Sequence, residues 1–207
     1  MNVERFREHL AACPLVAIIR GVRPEEAEGV GAALIEAGVR IIEVPLNSPD
    51  PLASIGRLVG RFGDQATIGA GTVLDPADVT RVAAAGGRII VSPDANPLVI
   101  AATAAAGLVS APGYFTPTEG FAALRAGAHA LKLFPAEAAT PGVLKAQRAV
   151  LPRDVPILIV GGVTPANMRP WIDAGANGFG LGSGLYSPGR SAAEVGERAR
   201  AYVAALG

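Results

Sequence analysis

Short apolar runs recur along the chain at 15–20, 40–45, 66–71, 88–92, 108–112, 129–134, 156–161 and 178–183. They are nearly continuous in apolar character rather than alternating, the pattern of strands buried on both faces of a parallel sheet. Between them lie stretches with helical spacing at 24–37, 49–62, 76–85, 97–106, 117–126, 141–150, 165–174 and 191–206. A proline opens most of these stretches, and Ala-Gly closes them at 37–38, 85–86, 106–107, 126–127 and 174–175. Pro just inside a helix start and Gly just past its end is the asymmetry that helices favour. A further short helix over 3–12, with Phe6 and Leu10 on one face, precedes the first run. Eight strand-helix units predict an α/β fold: one (β/α)8 TIM barrel domain over residues 1–207, with a short N-terminal helix. An open doubly wound sheet is the alternative that fewer strands would favour.

Composition narrows the function classes. Half of the 207 residues are hydrophobic, enough for a sizeable core. Lys plus Arg and Asp plus Glu both number 18, so no bulk field points to nucleic acid or an acidic membrane. The single cysteine, Cys13, excludes an internal disulfide framework. The charged start of the chain has no signal-peptide core, and no apolar run is long enough to span a bilayer. A soluble cytoplasmic protein is expected.

In such a barrel the site lies at the C-terminal ends of the strands. There the chain carries Arg20, Glu43, Gly71-Thr72, Ser92-Pro93, Pro112-Gly113, Lys132 with Phe134, Gly161-Gly162 and Gly182-Ser183. Lys132 stands among apolar residues in Leu131-Lys132-Leu133-Phe134-Pro135. Burial disfavours its ammonium form, and a neutral amine can attack a ketone to form an imine. Glu43, in Ile41-Ile42-Glu43-Val44-Pro45, is either the general acid/base for that chemistry or a partner that makes a buried cation tolerable. The two glycine loops follow strands seven and eight, where this barrel usually binds phosphate. Arg20 offers a planar fork to a carboxylate, or pairs structurally with Glu43. Thr72 either binds substrate or satisfies its own loop, and Phe134 either packs beside the imine or fills the core. His9 and His129 fall away from the strand ends, and no His/Cys/Asp/Glu cluster has metal-ligand spacing, so neither metal nor cofactor is expected.

These residues in this order resemble the aldolases of 2-keto-3-deoxy-6-phospho sugar acids. The resemblance is carried by Ile18-Ile19-Arg20-Gly21, Glu43-Val44-Pro45-Leu46-Asn47-Ser48-Pro49, Ile68-Gly69-Ala70-Gly71-Thr72-Val73, Leu131-Lys132-Leu133-Phe134-Pro135, Gly161-Gly162-Val163 and Gly182-Ser183, over nearly the whole chain. It implies a metal-independent class I aldolase, typically trimeric, that forms pyruvate and D-glyceraldehyde 3-phosphate reversibly from a phosphorylated keto-deoxy sugar acid. It implies Lys132 as the Schiff-base lysine and Glu43 as the proton donor and acceptor. Arg20 and Thr72 would hold the carboxylate end, and Gly161, Gly162, Gly182 and Ser183 the phosphate. Leu46-Asn47-Ser48 and Val160 stand where the gluconate-type branch usually has an arginine and a threonine. Both departures resemble the galactonate-type branch, which differs at C4 of the substrate. The C4-epimeric gluconate substrate, or both substrates, is the nearest alternative. A phosphosugar isomerase or epimerase, or a non-catalytic phosphosugar-binding protein, is more remote.

Overall fold

The computed structural model describes residues 2–207. Helix α1 (Asn2–Ala12) precedes strand β1 (Leu15–Ile18). Then follow α2 (Pro24–Glu36), β2 (Ile41–Pro45), α3 (Pro51–Phe62), β3 (Thr67–Gly71), α4 (Pro76–Ala84), β4 (Ile89–Val91), α5 (Pro97–Ala105) and β5 (Val109–Ala111). The second half holds β6 (Gly113–Tyr114), α6 (Pro117–Arg125), β7 (Leu131–Leu133), α7 (Pro141–Arg148), β8 (Ile157–Val160), α8 (Met168–Asp173), β9 (Gly178–Leu181) and α9 (Ala192–Ala204). Proline stands at the first position of α2 to α7, where its missing N–H leaves no helical bond unmade.

All strand pairs are parallel, in the order β5-β4-β3-β2-β1-β9-β8-β7-β6. The expected (β/α)8 architecture is present, with one correction. Nine strands replace eight because the fifth is divided at Pro112, which has no N–H to give to a ladder. β5 pairs with β4, and β6 pairs with β7. The divided segment nevertheless reaches both neighbours. The His129 and Lys132 amides donate to the Ser110 and Pro112 carbonyls, each at 2.9 Å, and this seam closes the barrel. Most element bounds also shift by one to three residues. α3 begins at Pro51 rather than at 49, behind Asp50 in a left-handed conformation (φ 40°). The helix expected over 165–174 opens as a 3-10 turn, Pro165–Asn167.

Two separate cores follow from the alternation of side chains along each strand. One face of every strand packs outward against the helices, for example Ala17, Ile42, Ile68, Leu131 and Ile159. The other face fills the barrel interior with Val16, Ile18, Ile41, Ile89, Val91, Val109, Ala130, Leu158 and Val160. Phe6 and Leu10 of α1 belong to this inner core, so the first helix plugs the end of the barrel opposite the strand C-termini. The helical face expected from the spacing of Phe6 and Leu10 is therefore the plug. No helix among the described residues is long and apolar enough to cross a membrane.

Phe6 is fully buried in the inner core. Phe6→Ala is expected to destabilise the fold by about 3–5 kcal/mol, read from the denaturant midpoint at unchanged m-value.

Candidate active site

The inner face of each strand runs upward in layers until apolar residues give way to polar ones. On β1 the series is Val16, Ile18 and, just beyond, Arg20; on β2 it is Ile41 then Glu43; on β7 it is Ala130, Lys132 and then Phe134. Period-two alternation thus turns Glu43 and Lys132 inward above the apolar layers, with Arg20 just past the end of β1, where Ile18 is the register partner of Glu43. They line one cavity of about 490 Å³ together with Thr72, Phe134, Val160, Gly161, Gly162, Gly182 and Ser183. Every site residue expected from the sequence lies on this wall.

Glu43 and Lys132 are buried, with 2% and 7% of their surface exposed. No salt bridge or hydrogen bond joins them among the described residues, and Glu43 Oε2 has no hydrogen-bond partner. Loss of water pushes the Glu43 carboxyl up to about 7, against the opposing pull of Lys132 and Arg20. Loss of water also pushes the Lys132 amine down, Glu43 resists that shift, and Arg20 reinforces it. Neither group is locked into its charged form. The Lys132 amine nitrogen lies 4.6 Å from the centre of the Phe134 ring, a contact that, like the Glu43 carboxylate, favours its cation. Gly71 makes room for the acid: a Cβ at that position would run into the Glu43 carboxylate. Gly180 does the same for Val160, whose methyl would lie 2.7 Å from an added Cβ.

Arg20 does not pair with Glu43. Its guanidinium donates to Asn47 Oδ1, and both terminal nitrogens approach Thr72 Oγ1 at 3.4 Å. Thr72 holds a left-handed backbone, φ 56°, a strained state for a β-branched residue. That conformation turns its hydroxyl toward Arg20. Ser48 accepts from the Gly21 amide at 2.9 Å and ties the loop after β2 to the loop after β1. Across the cavity, Gly161 and Gly162 have φ 113° and 63°, and an added Cβ on either would meet the Glu137 side chain. The amides of Gly162, Val163, Ser183 and Gly184 donate to no protein acceptor among the described residues, and all four residues line the cavity. Such a cluster of free N–H groups is a cradle for an anion.

Among what sequence reasoning missed are Glu137 and Tyr186 on the cavity wall and the role of Asn47. Asn47 lies within residues 43–49, but nothing in its spacing marks it as the partner of Arg20. Glu137 lies in a 3-10 turn, Ala136–Ala138, where no periodicity aims a side chain. The histidines stay outside the cavity: His9 is 2.9 Å from the Thr67 hydroxyl, and His129 accepts from the Ser110 amide. No group of three or more metal-ligating side chains occurs among the described residues.

The raised pKa of Glu43 carries a stability prediction. The folded protein holds this proton up to about 7, whereas the unfolded chain releases it near 4.5. The carboxyl is therefore tolerated below that lower value and becomes destabilising as pH rises through about 7. Glu43→Gln should melt higher than the wild type at pH 8, and the gap should close toward pH 5 in thermal scans.

Comparison with known proteins agrees with the geometry. The family model described as "Aldolase: KDPG and KHG aldolase" matches residues 6–196. A "Probable 2-dehydro-3-deoxy-6-phosphogalactonate aldolase" of Rhizobium meliloti is 53% identical over 93% of this chain and 91% of its own length. The 2-dehydro-3-deoxy-6-phosphogalactonate aldolase of Escherichia coli is 48% identical over 93% of this chain and 94% of its own. A solved structure described as native KDPGal superposes with a TM-score of 0.92 at 48% identity, covering 93% of this chain and 94% of that one. With the barrel and its Lys–Glu cavity in place, the match over nearly its full length means that this chain belongs to the KDPG and KHG aldolase family.

Proposed function

We propose that the cavity cleaves 2-dehydro-3-deoxy-6-phosphogalactonate reversibly to pyruvate and D-glyceraldehyde 3-phosphate through an imine on Lys132. The observation that carries this reading is the buried, unpaired Lys132 and Glu43 between two anion-binding ends. Arg20, braced by Asn47 and Thr72, receives the substrate carboxylate through its fork. The phosphate lies some carbons away on the free amides beside Gly161, Gly162, Gly182 and Ser183. The C2 carbonyl between them then meets the Lys132 amine.

The neutral amine adds to C2, and loss of water gives a protonated imine. Glu43 takes the proton of the C4 hydroxyl, the C3–C4 bond breaks, and its electron pair moves into the imine to give an enamine. The aldehyde leaves. Glu43 returns the proton to C3, and water hydrolyses the pyruvate imine to free the lysine. A carboxyl with its pKa near neutrality both accepts and donates at low cost, which suits it to this shuttle. Phe134 covers the amine and keeps bulk water from the imine.

The galactonate preference rests on Val160. Its buried side chain lines the cavity and offers no donor or acceptor to a C4 hydroxyl pointing at β8, so that hydroxyl is better received in the other configuration. By family resemblance we further infer that the enzyme works as a homotrimer in the cytoplasm.

Borohydride reduction in the presence of pyruvate should add one pyruvate-derived mass to the wild type. Lys132→Ala should add none, and an unchanged wild-type mass would reject the imine. In a side-by-side assay of the two C4 epimers, with pyruvate release as readout, kcat/KM should favour the galactonate epimer. Val160→Thr should narrow the ratio by about tenfold, the scale of one pocket contact. A wild-type preference for the gluconate epimer would overturn the substrate choice.

A further inference from the structure

The anion cradle has an electrostatic shortfall. The basic residues of the cavity wall are Arg20 and Lys132, both assigned to the carboxylate and carbonyl of the substrate, while Glu137 adds an acid beside Gly161 and Gly162. At the N-terminus of α9 the capping box sets a carboxylate against the positive end of the helix dipole: Glu194 accepts from the Ser191 amide and hydroxyl. The positive potential that a phosphate needs must come from elsewhere.

Behind two of the four free amides, a side chain grips the carbonyl of the same peptide unit. Asn167 Nδ2 donates to the Gly162 carbonyl at 2.8 Å, and the N–H of that peptide belongs to Val163. The Arg190 guanidinium donates to the Ser183 carbonyl at 3.1 Å, and the N–H of that peptide belongs to Gly184. In a trans peptide the C=O and N–H point in opposite directions. A donor fixed on the carbonyl therefore aims the amide the other way and polarises it. Arg198 makes a similar contact to the Gly184 carbonyl at 3.2 Å, but the N–H of that peptide, on Leu185, is already spent on the Gly182 carbonyl. Arg190 forms no ion pair among the described residues, so its charge is not cancelled by a contacting carboxylate.

We propose that Arg190 is a positioning residue for the substrate phosphate, acting through the Ser183–Gly184 peptide from outside the cavity, with Asn167 as its neutral counterpart on the opposite loop. This rests on the reading of the glycine loops as the phosphate site. Arg190 holds the Gly184 amide in the direction that meets the anion. Arg198 steadies the turn but has no free amide to aim.

Three measurements on Arg190→Met, Arg190→Lys, Asn167→Ala and Arg198→Met test this. The first is KM and kcat for the phosphorylated substrate. The second is competitive inhibition by inorganic phosphate. The third is exchange of the pyruvate methyl hydrogens with deuterated water, which uses Lys132 and Glu43 but no phosphate. Arg190→Met should weaken phosphate inhibition and raise KM by about tenfold, the scale of one charge-assisted hydrogen bond, with pyruvate exchange unchanged. Arg190→Lys should recover most of the loss, Asn167→Ala should show a smaller change of the same kind, and Arg198→Met less still. Unchanged phosphate inhibition in Arg190→Met would overturn the proposal while leaving the phosphate site intact. Equal losses in exchange and phosphate affinity would reduce Arg190 to a prop of the fold, and an Arg198→Met effect as large as that of Arg190→Met would overturn the peptide route. A wild type that inorganic phosphate does not inhibit would remove the phosphate reading itself, and the proposal with it.

Discussion

The structure depends on keeping an amine and a carboxyl dry without letting them neutralise each other. Two ionisable groups taken from water carry penalties of several kcal/mol each when charged, and a tight ion pair is the usual relief. Here that relief is absent. Glu43 and Lys132 stand on β2 and β7 of the closed barrel, with a cavity between them. The penalty appears instead as shifted proton affinities, one up and one down. The groups are left able to exchange protons near neutrality, and the two hydrophobic layers carry the stability that the site gives up.

Small residues enforce this separation as much as large ones. Gly71 lets the Glu43 carboxylate lie against the β3 backbone, and Gly180 lets Val160 settle into the inner wall. A methyl group at either place would move a functional side chain while leaving the strand order unchanged. Thr72 shows the opposite use of the backbone, accepting a left-handed conformation that brings its hydroxyl to Arg20. The carboxylate end is thus built from side chains and local strain, and the cradle end from peptide groups and glycine.

The architecture was legible because hydrophobic periodicity and helix punctuation are local signals, repeated eight times along the chain. The cavity residues could be located because strand ends converge in a barrel whatever the loops do. What escaped was set by non-local contacts. The division of the fifth strand depends on which neighbour each side of Pro112 meets, although the proline itself was visible. The pairing of Arg20 with Asn47 depends on two loops meeting above the barrel, and sequence left Arg20 equally open to pairing with Glu43. Glu137 enters the cavity from an irregular turn that leaves no pattern to read.

The plug at the base of the barrel has a consequence for how the molecule is made. Phe6 and Leu10 share the inner core with Leu158 and Val160, residues from opposite halves of the sequence. During synthesis the outer layer can assemble piecemeal, each helix settling on its own strand soon after both emerge. The inner core cannot, because its earliest side chains wait for β9, the strand that pairs with β1, before they are enclosed. Closing so long a loop adds only modestly to the entropy required, since that term grows logarithmically with length. The burden falls on timing instead: a nascent chain carries an uncovered aromatic plug through most of its elongation, and the interior is completed in one late, cooperative step.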